Sequence, residues 1–375
     1  MDSSRAQPGL ERPEIRISDP GEVAAALPHL LGFSPRESVV LVGLGGATGS
    51  RVGLTVRADI PDPRSAAAHA AAAAAGALVR ALRTDQPAAA LLVVVSEAPD
   101  EPDPEGMGHD AESGPLGPVP GLPHRRLVSA LLDALSAVDV PVRDALLVRR
   151  RRWWSYDCPH PCCAPTAGTP LPEGVGALAA AAVTTGQVVA SDREALVARL
   201  DPPPGGVAGM PAACRRIALE RAARIRSVGP AVVADESWAA VEQAVARCRP
   251  AAGVSAAPLS DDDVAGLVEA LRDPGVRDRA LGLALGRDAG AAENLWTECT
   301  RRAPAPLDAA PATLLAVSVW LRGDGAMANV ALDRALRSEP RHVLARLLRK
   351  GLDACLTPTE LRSLIEQAVA VDALR

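Results

Sequence analysis

Aromatic side chains are almost missing from this chain: they make up 2% of its 375 residues, with Phe33 the sole phenylalanine and Tyr156 the sole tyrosine. Its cores must therefore close on Ala, Val and Leu, which fill space in small increments. Lysine is scarce too, Lys350 being the single example, so nearly all positive charge is arginine. The net charge is -5, and that lack of a positive footprint argues against a chain devoted to nucleic acid. No stretch approaches about eighteen uninterrupted strongly apolar residues, the length a membrane-spanning helix needs; the alanine tract at 66–75 is broken by His69. The N-terminus, M-D-S-S-R-A-Q-P-G-L-E-R-P, lacks the apolar core of a secretion signal, so the cytoplasm is the expected compartment. Seven cysteines, an odd number, disfavour a full disulfide framework in a reducing compartment. There is no G-x-S-x-G, no H-E-x-x-H, no glycine-rich kinase set and no Walker lysine. No catalytic residue and no cofactor-binding loop is assigned on motif grounds, and whether the chain is an enzyme stays open.

What is present is a 48% apolar chain long enough for two self-sufficient cores. Residues 1–12 read as a flexible tail and 13–200 as an α/β domain with a mixed sheet and flanking helices; Glu14 to Ile17 is a short strand candidate. Asp19, Pro20 and Glu22 set up a helix start before Val23, Leu27, Leu30 and Leu31, and Pro28 is expected to kink or restart that helix. Ser38 to Leu44 and Arg51 to Ile60 read as a hairpin, residues 64–84 as an alanine-rich helix, and Ala88 to Ser96 as a strand covered on both faces. Residues 98–123 carry seven prolines and six acidic residues without apolar periodicity, so this insertion is expected to be disordered. A helix at His124 to Val138 and a strand at Asp144 to Trp154 follow. Next come a helix at 173–184, a short strand at 187–190, and a helix capped by Ser191 and Glu194. The D-P-P-P-G-G run opens a linker, 201–210, and 211–375 reads as an all-α domain with helix starts at Asp235, Ser260, Asp273 and Thr357. Each of its helices is expected to carry one apolar stripe. Between Pro311 and Pro340, the spacing of Leu315, Ala316, Val319, Ala328, Leu332 and Ala335 around a G-D-G turn predicts one tetratricopeptide-like helical hairpin.

The chemistry concentrates in R-R-W-W-S-Y-D-C-P-H-P-C-C, Arg151 to Cys163. Cys158, His160, Cys162 and Cys163 are the candidate metal ligands, zinc being the ion such donors suit, because the prolines at 159, 161 and 165 force a non-helical loop. Familiar zinc sites pair two C-x-x-C knuckles, and there is no second knuckle here; a remote ligand such as Cys214 or His124 would have to complete the shell. Vicinal Cys162 and Cys163 are expected to share one ion only with strain. A loop pinned by aromatic packing is the leading reading, with metal binding second and thiol redox chemistry third.

Other features read as structural. The glycines of V-G-L-G-G-A-T-G-S precede a strand and not a helix, so they suit a hairpin turn better than a phosphate cradle. Arg215, Arg216, Arg221, Arg224 and Arg226 form a local basic face that is expected to pair with nearby carboxylates. His29, His69 and His342 fall in helical patterns, and Asp261 to Asp263 sit at a helix start, where they favour the dipole.

Several phrases together resemble the actinobacterial family of domain of unknown function 4192. They are I-S-D-P-G-E-V-A-A-A-L-P-H-L-L-G-F-S-P-R-E-S-V-V-L-V-G-L, R-R-R-W-W-S-Y-D-C-P-H-P-C-C with G-T-P-L-P, V-R-D-R-A-L, and L-L-A-V-S-V-W-L-R-G-D-G-A-M-A-N-V-A-L-D-R-A-L. The resemblance covers most of residues 14–355 and implies a domain pair without assigning an activity, substrate or partner. It marks Trp153, Trp154, Ser155, Cys158, Cys162 and Cys163 as signature positions and leaves His160 outside them. From these readings the expected role is a protein-interaction or scaffold module with protein partners, no membrane and no nucleic acid. The alternative is a metal-binding or thiol-dependent enzyme using the Cys158 to Cys163 loop.

Overall fold

The computed structural model describes residues 19–45, 51–61, 67–102, 120–172, 189–204, 207–249, 258–354 and 356–372. The expected tail, the strand at 14–17, the helix at 173–184 and most of the 98–123 insertion lie outside them. Contacts divide the chain into two compact units, Met1–Ala190 and Ser191–Arg375.

The first unit is built on a six-stranded sheet. Helix α1 (Pro20–Leu31) is capped by Asp19, whose carboxylate accepts from the Gly21 N–H at 2.8 Å, and it ends on Gly32 in the left-handed region. Pro28 does not break it, because the proline falls in the last turn, where the helix is about to stop. Strands β1 (Ser38–Gly45) and β2 (Arg51–Asp59) pair antiparallel as a hairpin. Helix α2 (Ala67–Arg83) leads to β3 (Ala89–Val95), antiparallel to β1. The insertion's ends are ordered: β4 (Glu101–Pro102) and β5 (Pro120–Gly121) pair with each other and close it. Helix α3 (Arg125–Ser136) then crosses to β6 (Val142–Arg149), parallel to β3. The order is β2-β1-β3-β6-β7-β8, with β7 at Arg152–Ser155 and β8 at Thr169–Pro170, both antiparallel to their neighbours.

Residues 144–154 thus form two strands and not the single one expected. Arg150 and Arg151 make the turn between them, both at positive φ (50° and 59°). That is the backbone of a two-residue hairpin, which usually takes Asn-Gly, so Arg-Arg carries no turn signal.

Small aliphatics close the sheet on both faces, as residues Val39 to Val42 and Leu91 to Val94 are all buried. Leu78, Leu82, Leu131 and Leu135 from α2 and α3 meet Leu41, Leu92, Leu147 and Trp154 in one cluster. Side chains alternate along a strand, so Trp153 turns the other way; a Cβ on Gly21 of α1 would meet its Nε1 at 2.6 Å.

The second unit is helical throughout its described residues. It opens with α4 (Arg193–Ala198), capped by Asp192, which accepts from Ala195 N–H at 2.7 Å, and not by the Ser191 and Glu194 pair expected. Leu196 is buried and Arg193 reaches Asp333 at 3.2 Å, so the contacts assign α4 here and put the division ten residues before the expected boundary at 200. The helices α5 (Met210–Val228), α6 (Pro230–Arg247), α7 (Asp261–Ala270), α8 (Pro274–Leu281), α9 (Ala289–Arg302), α10 (Ala309–Leu321), α11 (Gly325–Ser338), α12 (Val343–Asp353) and α13 (Pro358–Asp372) follow. Ser260 and Asp263 form a reciprocal capping box, Asp273 caps α8, and Thr357 pairs with Glu360. Asp235 starts nothing; it lies inside α6, which begins at Pro230.

Helix α10 departs from the single-stripe expectation, being buried from Pro311 to Trp320. It packs on α11 through a short Gly323-Asp324 turn, making a helical hairpin. The buried Asp308 carboxylate ties its start to α11 through Arg334 at 2.7 Å and through Ser338. Such a wholly apolar helix is a core element rather than a binding face. Among the described residues no helix is long and apolar enough to cross a membrane.

Candidate functional site

The β6–β7 hairpin delivers the cysteine loop. Its turn holds because Arg150 donates from its backbone and side chain to Glu97. Side chains of β6, β7 and the residue after β7 tie the loop down. Trp154 Nε1–H donates to the Ala164 carbonyl at 3.0 Å, and the Arg149 guanidinium sits 5.1 Å from the centre of the Trp154 ring. Arg149 itself is held by Asp100 at 2.9 Å and the Ala98 carbonyl at 3.1 Å. Arg152 donates to the Ala167 and Gly168 carbonyls. Tyr156 O–H donates to the Pro123 carbonyl at 2.6 Å, and burial pushes its phenol well above the usual range. The aromatic packing expected of the loop is present at Trp154 and Tyr156, with arginines as the second half of it.

On this frame the three thiols converge. Cys158 Sγ lies 3.9 Å from Cys162 Sγ, Cys162 Sγ lies 4.0 Å from Cys163 Sγ, and all three sulfurs fall within 4.8 Å of one another. Four sulfurs arranged tetrahedrally around zinc at about 2.3 Å lie about 3.8 Å apart, close to this spacing. The vicinal pair shares the site because the short 3-10 turn Pro161–Cys163, closed by Cys163 N–H on the His160 carbonyl at 3.0 Å, swings Cys163 inward and leaves Cys162 exposed.

His160 serves through its backbone: its N–H donates to the Cys158 sulfur, which holds that thiol below its usual pKa. Its exposed imidazole is not part of the group of potential ligands. His124 is engaged elsewhere, and Cys214 is buried in the second unit.

Cys163 is different in character. Burial pushes its thiol up to about 11, although the Ser155 N–H donates to its sulfur at 3.3 Å. Ser155 Oγ–H in turn donates to Asp144 at 2.7 Å, and burial raises that carboxyl above its usual pKa. Sequence reasoning named Ser155 only as a signature position and missed Asp144, whose place under the loop depends on strand pairing.

A second polar constellation, also missed, caps the sheet where β3 ends. Ser96 Oγ–H donates to Glu37 at 2.7 Å, and the same oxygen accepts from Ala98 N–H at 3.1 Å and lies 2.8 Å from His124 Nε2. With its proton on Glu37, the hydroxyl accepts from the ring. Burial lowers the His124 pKa. Ser96 is 2% exposed and its oxygen is fully engaged, so this serine closes the sheet and is not placed to attack a substrate. Of the arginines on α5, Arg216 pairs with Glu220 and Asp262, and Arg224 with Glu236, as a solvated face does.

The fold and site define a mixed α/β sheet unit carrying a three-thiol loop, joined in one chain to a helical unit. The model of the family described as Domain of unknown function (DUF4192) matches residues 20–359, and the chain belongs to that family. No curated protein and no solved structure matches it.

Proposed function

We propose that this protein binds a thiophilic divalent metal, zinc by the chemistry of its donors, through Cys158, Cys162 and Cys163. The convergence of the three sulfurs within 4.8 Å carries this reading. Amide N–H groups donate to two of the sulfurs, from His160 to Cys158 and from Ser155 to Cys163, the kind of outer support that orients thiolate ligands. A fourth position is left for water or for a group brought by a partner, and bound metal would clamp the loop onto β6 and β7. Free thiols persist in a reducing compartment, in keeping with the cytoplasm. The test is cobalt titration of the full chain purified without chelator. One ion per chain with thiolate-to-cobalt charge-transfer absorption, lost in Cys158→Ser and Cys162→Ser, supports the site. Neither stoichiometric metal nor that absorption would sink it.

A second reading, protein interaction through the helical unit, draws on exposed apolar side chains. Val343 and Leu347 lie one turn apart on α12 at 68% and 60% exposure, with Leu364 on α13 at 53%. Exposed apolar side chains one turn apart on a helix mark a place where a segment of another protein can dock. A partner retained by the wild-type chain and released by Leu347→Glu, at unchanged stability, is the expected result; equal retention by both would reject this face.

A further inference from the structure

The same sulfur cluster carries a reaction that metal binding does not require. We propose that Cys158 and Cys162 are a peroxide-oxidised dithiol, closing to a reversible disulfide; only its consequence for a bound ion rests on the metal reading above.

Three pairs are available among the sulfurs, and geometry selects one. Cys162 and Cys163 are adjacent, and neighbouring Cα atoms stand about 3.8 Å apart, below the roughly 4.4–6.8 Å that a relaxed disulfide spans. Cys163 is also buried, 8% exposed, with its sulfur accepting from Ser155 N–H inside the cluster of α2, α3 and the sheet. Pulling it outward would break that bond and open the core. Cys158 and Cys162 are not adjacent and neither is fully buried; the one backbone N–H on the Cys158 sulfur, from His160, belongs to the same loop, and Cys158 packs only at the edge of the core. Cys162 is exposed, Cys158 is half-buried, their sulfurs are 3.9 Å apart, and three residues separate them in a surface loop. Closing the bond needs a shift of about 2 Å, shared by two side chains at the surface.

The chemistry balances with hydrogen peroxide as the named oxidant. The thiolate of one partner attacks a peroxide oxygen; the O–O bond breaks, hydroxide leaves, and the sulfur becomes a sulfenic acid. The second thiolate attacks that sulfur, the S–S bond forms, and the departing hydroxide takes a proton to leave as water. Two thiols and one peroxide give one disulfide and two waters. An exogenous dithiol reverses the step by thiol–disulfide exchange. If the site holds metal, oxidation removes two of its three thiolates and the ion is released.

The experiment uses the metal-free, reduced full chain. It is treated with equimolar hydrogen peroxide, alkylated under denaturing conditions, digested, and the peptide carrying all three cysteines is fragmented. Expected is a peptide carrying one alkyl group, on Cys163, and about 2 Da lighter than the same singly alkylated peptide with two free thiols, with the cross-link between Cys158 and Cys162 and full reversal by dithiothreitol. Cys163→Ser should keep the cross-link, while Cys158→Ser and Cys162→Ser should not form it. Because Cys163→Ser touches the core, the wild-type fragmentation decides the case should that variant fail to fold. Overturning results are a cross-link through Cys163, over-oxidation to sulfinic acid without a cross-link, or three unmodified thiols. Zinc release into a colorimetric chelator from metal-loaded protein is read separately, so a failed metal site does not imitate a failed dithiol.

Discussion

Gly168 lies against the indole of Trp154, so close that a Cβ on the glycine would overlap Cε2 and Cζ2 of the ring, and its φ of +66° is one that L side chains rarely adopt. The tryptophan cannot retreat, since its N–H is bonded to Ala164 and Arg149 covers the ring. Gly168→Ala is therefore expected to destabilise the first unit by about 3 kcal/mol, the sum of overpacking and left-handed backbone costs. Urea unfolding checks the loss, and an unchanged midpoint would show that the loop is not pinned on Trp154.

The hairpin turn makes the opposite prediction. Arg151 occupies φ 59° with a β-carbon that disfavours it. Arg151→Gly should stabilise by about 0.5–1 kcal/mol, the relief of strain exceeding the added freedom of the unfolded chain. The Leu171 N–H bond to the residue 151 carbonyl is retained, so a rise in the unfolding midpoint is the expected outcome.

Metal affinity should rise with pH. Burial holds the Cys163 thiol up to about 11, so at neutral pH a binding ion must displace its proton. Each displaced thiol proton makes the apparent affinity about tenfold stronger per pH unit below the thiol pKa. Competition titrations with a chelator between neutral and mildly alkaline pH measure the slope, and a flat profile would count against thiolate ligation.

His342 builds a pH dependence into the second unit. Its Nδ1 accepts from Ala345 N–H at 3.2 Å as the cap of α12, and burial, outweighing nearby Glu339 and aided by Arg277, holds the imidazole below its ordinary 6.5. As pH falls the unfolded chain takes up the proton first. The contribution is therefore complete above the unfolded value and is lost as pH drops through 6.5 toward the folded one. His342→Asn keeps a capping acceptor that does not titrate. The difference in stability between wild type and variant should shift against the wild type on acidification, and a pH-independent difference would dismiss the role.

Much of this was legible along the chain because it rests on near neighbours. The continuous apolar runs of β1 and β3, the caps at Asp19, Ser260, Asp273 and Thr357, and the α10–α11 hairpin follow from spacing alone. The Arg150-Arg151 turn was not legible, because strand pairing forces a conformation that the residue types do not announce. Nor was the start of the second unit at Ser191, since Leu196 and Arg193 find their partners far along the sequence.

The cysteine loop divides in the same way. Residue order alone determined that three thiols and three prolines would share a loop just after the aromatic run, and that no second cysteine knuckle exists. Only the tertiary structure decided that Cys163 turns inward to Ser155 N–H while Cys158 and Cys162 stay at the surface within 3.9 Å of each other. That choice depends on the β6–β7 pairing and on the packing of Gly168 against Trp154. Spacing sets how far apart two residues can be, but packing sets which way a sulfur points.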